Sequence, residues 1–357
     1  MAHFPISSDE LQRLNVERVV VIQLLALLMS FLLRARPISI QWHNDLPIFA
    51  AEHFLRSVGD EFGWLGGFDE AGHLRCILPY TIVHKAMLRM VRFRVETIAC
   101  SDPLSIAEEK RFLNSAMDHF RARGADLVIP ATTNSVFRIY PKDAVAAPYG
   151  SYVLDLPQPE ETLWTNLHGK HRNVIRNAMK KGVQVYAGLE HTRVAHQLIE
   201  ETLNRSGLRF MSFTAFQRLL ATLRDNILLL TAVHEGVMQG CAVIPFSHYS
   251  GYYVYGGSIA QPLTGAINLL HWEAIRMLRA SGVRRYDFVG VRIAPDKGSK
   301  QDGLRTFKER FGGRLSQGYI WKYSFRPLKY RFYCLAARLR SHGDIVDHER
   351  HKLRNDP

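Results

Sequence analysis

Tyr286-Asp287-Phe288-Val289-Gly290 runs into a polar, glycine-containing loop at 295–303 and then into Leu304-Arg305-Thr306-Phe307-Lys308-Glu309-Arg310-Phe311-Gly312-Gly313. This reads as a strand, a loop, one short helix and a glycine stop. Leu304, Phe307 and Phe311 recur at i, i+3 and i+7, one face of a helix. Gly312 and Gly313 suit the left-handed residue that ends it. Lys308 follows Phe307 by one position and turns away from that face. It is either a solvated surface lysine or, on a short rigid helix just past a strand end, a cation set to meet an anionic group.

Upstream of this stretch, helical spacing at 264–280 places Ile267, Leu270, Ala274, Ile275 and Leu278 on one face, with Gly282 behind. Before it, 227–234, 237–246 and 252–257 read as a three-strand meander with turns at Glu235-Gly236 and Ser250-Gly251. Tyr252, Tyr253 and Tyr255 fall on its last strand, where Tyr255 either packs in the core or bonds a ligand. Further upstream, Pro157 and Pro159 lead into one long helix over 161–181, stopped by Gly182. Arg172, Arg176 and Lys180 recur every fourth position along it and form one basic stripe. The stripe is either a solvated face that complements the helix dipole or a phosphate track, since arginine forks grip phosphate bidentately. The first half of the chain predicts a helix at 46–58, a hairpin of 62–68 with 73–80, a strand at 91–99, a helix at 106–123 stopped by Gly124, and a strand at 125–130. Expected domains are an appendage at 1–36, a first lobe at 37–150, a second lobe at 151–325 and a basic tail at 326–357.

With 357 residues, 47% apolar and 22% charged, the chain is globular and has room for two ordinary domains. A net charge of +13 favours anionic partners: nucleic acid, phosphate-bearing substrates or an anionic membrane face. Cys76, Cys100, Cys241 and Cys334 stand far apart with no CxxC spacing, which predicts reduced thiols and a cytoplasmic protein. His342, His348 and His351 lack a carboxylate or cysteine framework, so no metal is expected. The apolar run at 19–33 is shorter than the roughly 20 residues of a bilayer span and is broken by Gln23 and Ser30. It is a buried or interfacial helix, a membrane anchor or signal-like element, or a disordered extension. From Arg326 onward, basic and aromatic residues alternate in a helix that either packs on the body or lies on an anionic membrane. The polar end, 344–357, reads as mobile.

The run YDFVG, then GSKQDGLRTFKERFGG, then Gly318-Tyr319-Ile320-Trp321-Lys322-Tyr323, resembles the C-terminal signature of the FemABX family. Those are aminoacyl-tRNA-dependent aminoacyltransferases that build peptidoglycan interpeptide bridges on a pair of GNAT-type lobes. The segment Lys170-His171-Arg172-Asn173-Val174-Ile175-Arg176-Asn177-Ala178-Met179-Lys180-Lys181-Gly182-Val183 resembles the same family. The resemblance implies an α/β (α+β) fold of two GNAT-like lobes, each a mixed, mostly antiparallel sheet flanked by helices. It also implies transfer of an aminoacyl group from aminoacyl-tRNA to an amine of a diphosphate-linked cell-wall precursor, in the cytoplasm or at the inner membrane face. By carry-over, Lys308 steadies the charge that develops on the ester, Phe307 pairs with it in the transfer site, and Arg172, more weakly Arg176, grips the diphosphate. Arg172 and Lys308 are then expected to share one groove. GNAT acetyltransferases hold coenzyme A on a glycine-rich loop. Here the matching loop, Ser258-Ile259-Ala260-Gln261-Pro262-Leu263-Thr264-Gly265-Ala266, keeps only Gln261 and one glycine. No cofactor is expected, with acyl-CoA transfer to an amino sugar, polysaccharide or lipid amine as the alternative reaction.

Overall fold

The computed structural model describes residues 33–85, 87–130, 133–341 and 344–355. The expected hairpin is present: β2 (Glu61–Phe68) and β3 (Leu74–Lys85) pair antiparallel around Gly72, whose φ of 83° suits a residue without Cβ. Ahead of it, β1 (Arg34–Ile38) adds to the edge of β2. Residues 34–36 therefore belong to the sheet and not to an appendage. Of the apolar run at 19–33, only Leu33 lies within the described residues, and it is buried. The helix expected at 46–58 is a 3-10 turn at Ile48–Ala50 followed by α1 (Glu52–Val58). The strand expected at 91–99 is split into β4 (Leu88–Phe93) and β5 (Ile98–Ala99), both paired with β3. The next helix, α2 (Ile106–Ala122), starts on a capping box in which Ser105 and Glu108 bond each other's backbone N–H. It buries Phe112, Leu113, Ala116, Met117 and Phe120 against the first strands. Only Leu127–Val128 of the expected strand at 125–130 forms β6, parallel to β4.

The second half opens with β7 (Val145–Asp155), which crosses residue 150 without a break. The single helix expected over 161–181 is two: α3 (Glu160–Asn166) and α4 (Gly169–Lys180). Between them Leu167 and His168 are extended, and His168 caps α4 through Nδ1, which accepts from Lys170 N at 3.2 Å. The break is fixed from outside, because His168 N–H donates to Arg310 O at 2.9 Å. Four strands make a small antiparallel sheet in the order β12, β10, β9, β8: β8 (Gln184–Ala187), β9 (Ile227–His234), β10 (Val237–Pro245) and β12 (Tyr255–Ser258). Helices α5 (Thr192–Asn204) and α6 (Phe213–Leu223) pack on it through Leu198, Ile199, Phe216 and Leu220. Tyr252 is not on the last meander strand. It lies on β11 (Gly251–Tyr252), which leaves this sheet and pairs parallel with β13 (Arg285–Asp287).

Helix α7 (Ala266–Ala280) follows, then β13, then α8 (Lys300–Glu309). The next strand, β14 (Arg314–Ser324), joins the halves. Residues Arg314–Lys322 pair with β7 and Tyr323 and Ser324 pair with β6, so a ten-stranded sheet runs through both. This is a mixed α/β architecture with helices on a large mixed sheet. After β14 come α9 (Pro327–Ser341) and α10 (Ile345–Asn355). Much of the polar end is thus a helix docked on the body, held by Val346, which is fully buried among Ala147, Tyr149 and Ile320.

Candidate active site

The YDFVG strand ends in a strained turn. Val289 and Gly290 both have left-handed backbones, φ 39° and 47°. A β-branched residue there is a genuine outlier, costing on the order of 1–3 kcal/mol, and such strain concentrates at functional sites. Gly290 has no room for a side chain, since a Cβ would come within 2.6 Å of Thr133 Oγ1. Two charged groups hold the turn. Asp287 Oδ1 accepts from Val289 N–H at 2.7 Å and from Ser151 Oγ–H. Lys308, on α8, reaches inward and donates from Nζ to Val289 O and, at 2.8 Å, to Gly290 O. Burial pulls the Lys308 pKa down to about 8, against the opposing pull of Asp287. Lys308 is therefore no solvated surface residue. Asp287 caps the strand end, and burial raises its pKa despite Ser151, Val289 N–H and Lys308.

The Val289 side chain lines a cavity of about 610 Å³ between the two halves of the chain. Phe49, Phe54, Arg94 and Asn134 face it from the first half, and Met211, Arg218 and Tyr255 from the second. Its walls are mainly apolar, and Arg94 and Arg218 are charged with no carboxylate in the lining. Burial lowers the Arg94 pKa to about 10, with Arg92 adding to the effect. One Arg94 nitrogen donates to Val58 O at 2.9 Å, while its buried Nε meets no acceptor among the described residues. A half-satisfied buried cation is costly until an anion arrives. Tyr255 both packs on Phe210, ring centroids 5.1 Å apart, and presents surface to the cavity.

Helices α4 and α8 do meet: His171 Nε2 lies 3.0 Å from Phe307 O. Their cations do not converge, however. Arg172 Nη1 turns back to the carbonyls of Thr165 and Leu167, both at 2.6 Å, and so closes the exposed C-terminal end of α3. Arg176 lies over the Trp164 ring at 5.4 Å. Neither arginine is part of the cavity wall that Val289 and Tyr255 form. Phe307 faces inward in an aromatic cluster with His171, Phe311 and His271. His271, fully buried at Nδ1 2.8 Å from Tyr286 OH, has its pKa lowered to about 3, by burial first and by Lys308 next. It stays neutral at every ordinary pH. Both histidines went unread in the sequence, although His271 sits four residues after Ile267, on the apolar face of its helix.

Behind the turn lies a second, small cavity of about 60 Å³ lined by Glu96, Asn134, Tyr252, Arg285 and Asp287. Asn134 lines both cavities. Glu96 keeps part of its surface toward this internal space, and burial pushes its pKa up to about 7. Between the unperturbed value of 4.5 and 7, the folded chain holds a proton that the unfolded chain has lost. Stability attributable to Glu96 therefore falls as pH rises across that window, by at most about 3 kcal/mol. Glu96→Gln, which keeps the shape of the protonated acid, should raise the melting temperature at pH 8 and leave it unchanged near pH 4.5. A calorimetric scan at the two pH values checks this.

The loop before α7 packs tightly. A Cβ on Gly265 would stand 2.1 Å from Val174 O, so the N-terminus of α7 abuts the backbone of α4. Leu263 N–H is taken by Gln239 Oε1 and Ala266 N–H by Leu263 O.

The acetyltransferase (GNAT) domain model matches residues 169–308, from the start of α4 to Lys308. A 95-residue stretch is 33% identical to lipid II:glycine glycyltransferase of Staphylococcus saprophyticus, covering 26% of this chain and 23% of that protein. The corresponding protein of Staphylococcus haemolyticus is 32% identical over 96 residues. The crystal structure of FemX superposes with a TM-score of 0.63 at 15% identity, over 83% of this chain and 99% of that one. Residues 169–308 thus match a GNAT domain, and the chain is similar to the lipid II:glycine glycyltransferases over part of its sequence and to FemX in fold. It shares the fold of FemX, and it spans about a quarter of the length of the glycyltransferases it matches.

Proposed function

We propose that this protein transfers an aminoacyl group from aminoacyl-tRNA to an amine of a lipid- or nucleotide-linked peptidoglycan precursor. The observation that carries this reading is the cavity between the lobes: apolar walls, two arginines, no carboxylate, and a strained turn braced by Lys308. Arg94 and Arg218 suit a diphosphate, and the apolar walls suit the sugar and peptide attached to it. The acceptor amine attacks the ester carbonyl carbon and a tetrahedral oxyanion forms. The carbon–oxygen bond to the ribose breaks, leaving an amide, and the proton lost by the amine ends on the ribose oxygen. Lys308, charged below pH 8, stabilises that anion through the turn it holds, with no covalent enzyme intermediate needed. Phe307 fixes the backbone that carries Lys308. Arg172 and Arg176 are not in this wall, so any phosphate contact of theirs lies outside the cavity.

The close-packed loop before α7 supports a donor other than coenzyme A, because the amides of Leu263 and Ala266 are used internally and Pro262 has none. The test is incubation of the full chain and a nucleotide-linked muropeptide with charged tRNA or with labelled acyl-CoA. Transfer from tRNA alone is expected; transfer from acyl-CoA alone would replace the reading with N-acylation of another amine. Arg218 is exposed, so Arg218→Ala should fold normally and raise the acceptor KM about tenfold, the worth of one charge-assisted phosphate contact.

A further inference from the structure

We infer that α9 and the β3–β4 hairpin tip form one docking surface for an anionic lipid membrane. Leu328, Phe332 and Leu335 stand at i, i+4 and i+7 on α9 and are 71%, 73% and 59% exposed. The opposite face of the helix is the one that packs: Tyr333 sits against Met90, Leu127 and Ile129, and Tyr330 lies over Lys322 at 5.3 Å. The helix therefore turns its largest apolar side chains outward. Beside it, Met87 sits at the hairpin tip with φ 62° and is 92% exposed. Lys329 Nζ donates to Met87 O at 3.3 Å, tying tip and helix into one patch. Exposed apolar patches of this kind mark interaction sites.

Charge selects the occupant. No Asp or Glu occurs at 71–95 or at 310–343, and neighbouring acids are paired: Glu61 with His84 and Arg89, and Asp126 with Arg326 and Lys329. Lys85 and Arg331 flank the apolar crest and are exposed. A protruding crest of Leu, Phe and Met with a basic rim, whose neighbouring acids are already paired, matches a helix lying in the headgroup region of an anionic bilayer. No helix among the described residues is long and apolar enough to cross a membrane. Position favours it too. Tyr333 lies close to Arg92, and Arg94 two residues on lines the cavity between the lobes. Met87 at the hairpin tip stands seven residues from Arg94, about 20 Å at strand rise, so the tip of the patch lies beyond the opposite end of β4 from the cavity.

The surface is tested without any turnover, so its failure is separate from failure of the transfer reading. The full chain is floated with phosphatidylcholine vesicles with and without phosphatidylglycerol. Expected are at least about tenfold stronger partition onto the phosphatidylglycerol vesicles and about tenfold loss in the triple variant Leu328→Ser, Phe332→Ser, Leu335→Ser at unchanged melting temperature. Lys85→Glu with Arg331→Glu should remove the preference for phosphatidylglycerol. Partition of the triple variant equal to the parent overturns the proposal and moves lipid binding elsewhere on the chain. So does a parent that ignores vesicles and sediments as a dimer which the triple variant abolishes, since the occupant is then a second copy.

Discussion

Lys308→Met should lower turnover about a hundredfold at pH 7 while leaving the melting temperature close to that of the parent. The first half follows from position. The ammonium donates to both carbonyls of the strained Val289–Gly290 turn, and Val289 walls the cavity proposed for the acceptor. Lys308 is behind the cavity wall and acts through that turn, so the lower end of the roughly 10²–10³ loss in rate of a direct oxyanion donor is expected. The second half follows from linkage. Burial lowers the Lys308 pKa from 10.5 to about 8. Between those values the unfolded chain binds the proton and the folded chain does not, so stability rises with pH through that window. At pH 7 the buried charge is unfavourable by about 3 kcal/mol, which roughly offsets the two carbonyl bonds that methionine cannot make. Turnover of the parent should fall above about pH 8 as the ammonium loses its proton, and the variant should lack that limb. A variant that loses stability and turnover together, with the alkaline limb intact, would reduce Lys308 to a brace. Unchanged turnover would remove it from the chemistry.

What could be read from the sequence, and what could not, divides along the range of the interactions. The opening strand, loop and helix were legible because their signals are local: a face made by Leu304, Phe307 and Phe311, and a left-handed stop at Gly312, φ 81°. The hairpin at Gly72 and the helix at 106–123 were legible for the same reason. The break inside 161–181 was not, because a bond from His168 to Arg310, more than a hundred residues away, decides it. The basic stripe misled in a related way. Its spacing was right, but a guanidinium goes to the nearest strong acceptors, and Arg172 finds two free carbonyls at the end of α3. Lys308 was singled out from its place beside Phe307, yet the groups it holds are backbone atoms that no pattern of side chains reveals. The cavity is the extreme case. Phe49, Arg94, Met211 and Tyr255 are individually unremarkable and meet only because β14 joins the two halves.

That joint carries the largest expected effect on stability. Lys322 lies on β14 opposite Val145, one residue before the strand changes partner from β7 to β6, and its side chain is only 2% exposed. Burial alone would lower its pKa, but Asp344 at 2.8 Å and Asp347 at 2.6 Å hold it well above the usual lysine value. Both carboxylates come from the start of α10, where Asp344 also caps the helix by accepting from Asp347 N–H at 3.0 Å. Arg292, just past the strained turn, adds an ion pair to the buried Glu349 at 2.6 Å. The polar end of the chain is therefore the counter-ion of a buried cation. Asp344→Asn with Asp347→Asn strands that cation and should cost about 3–5 kcal/mol, the usual penalty of an unpaired buried charge. Lys322→Met in the same background should recover most of the loss, because an apolar side chain of similar volume needs no partner. Denaturant unfolding of the double variant, the single Lys322→Met and the triple variant closes the cycle. A double variant within about 0.5 kcal/mol of the parent would mean that water reaches Lys322 and that α10 is not what keeps the joint closed.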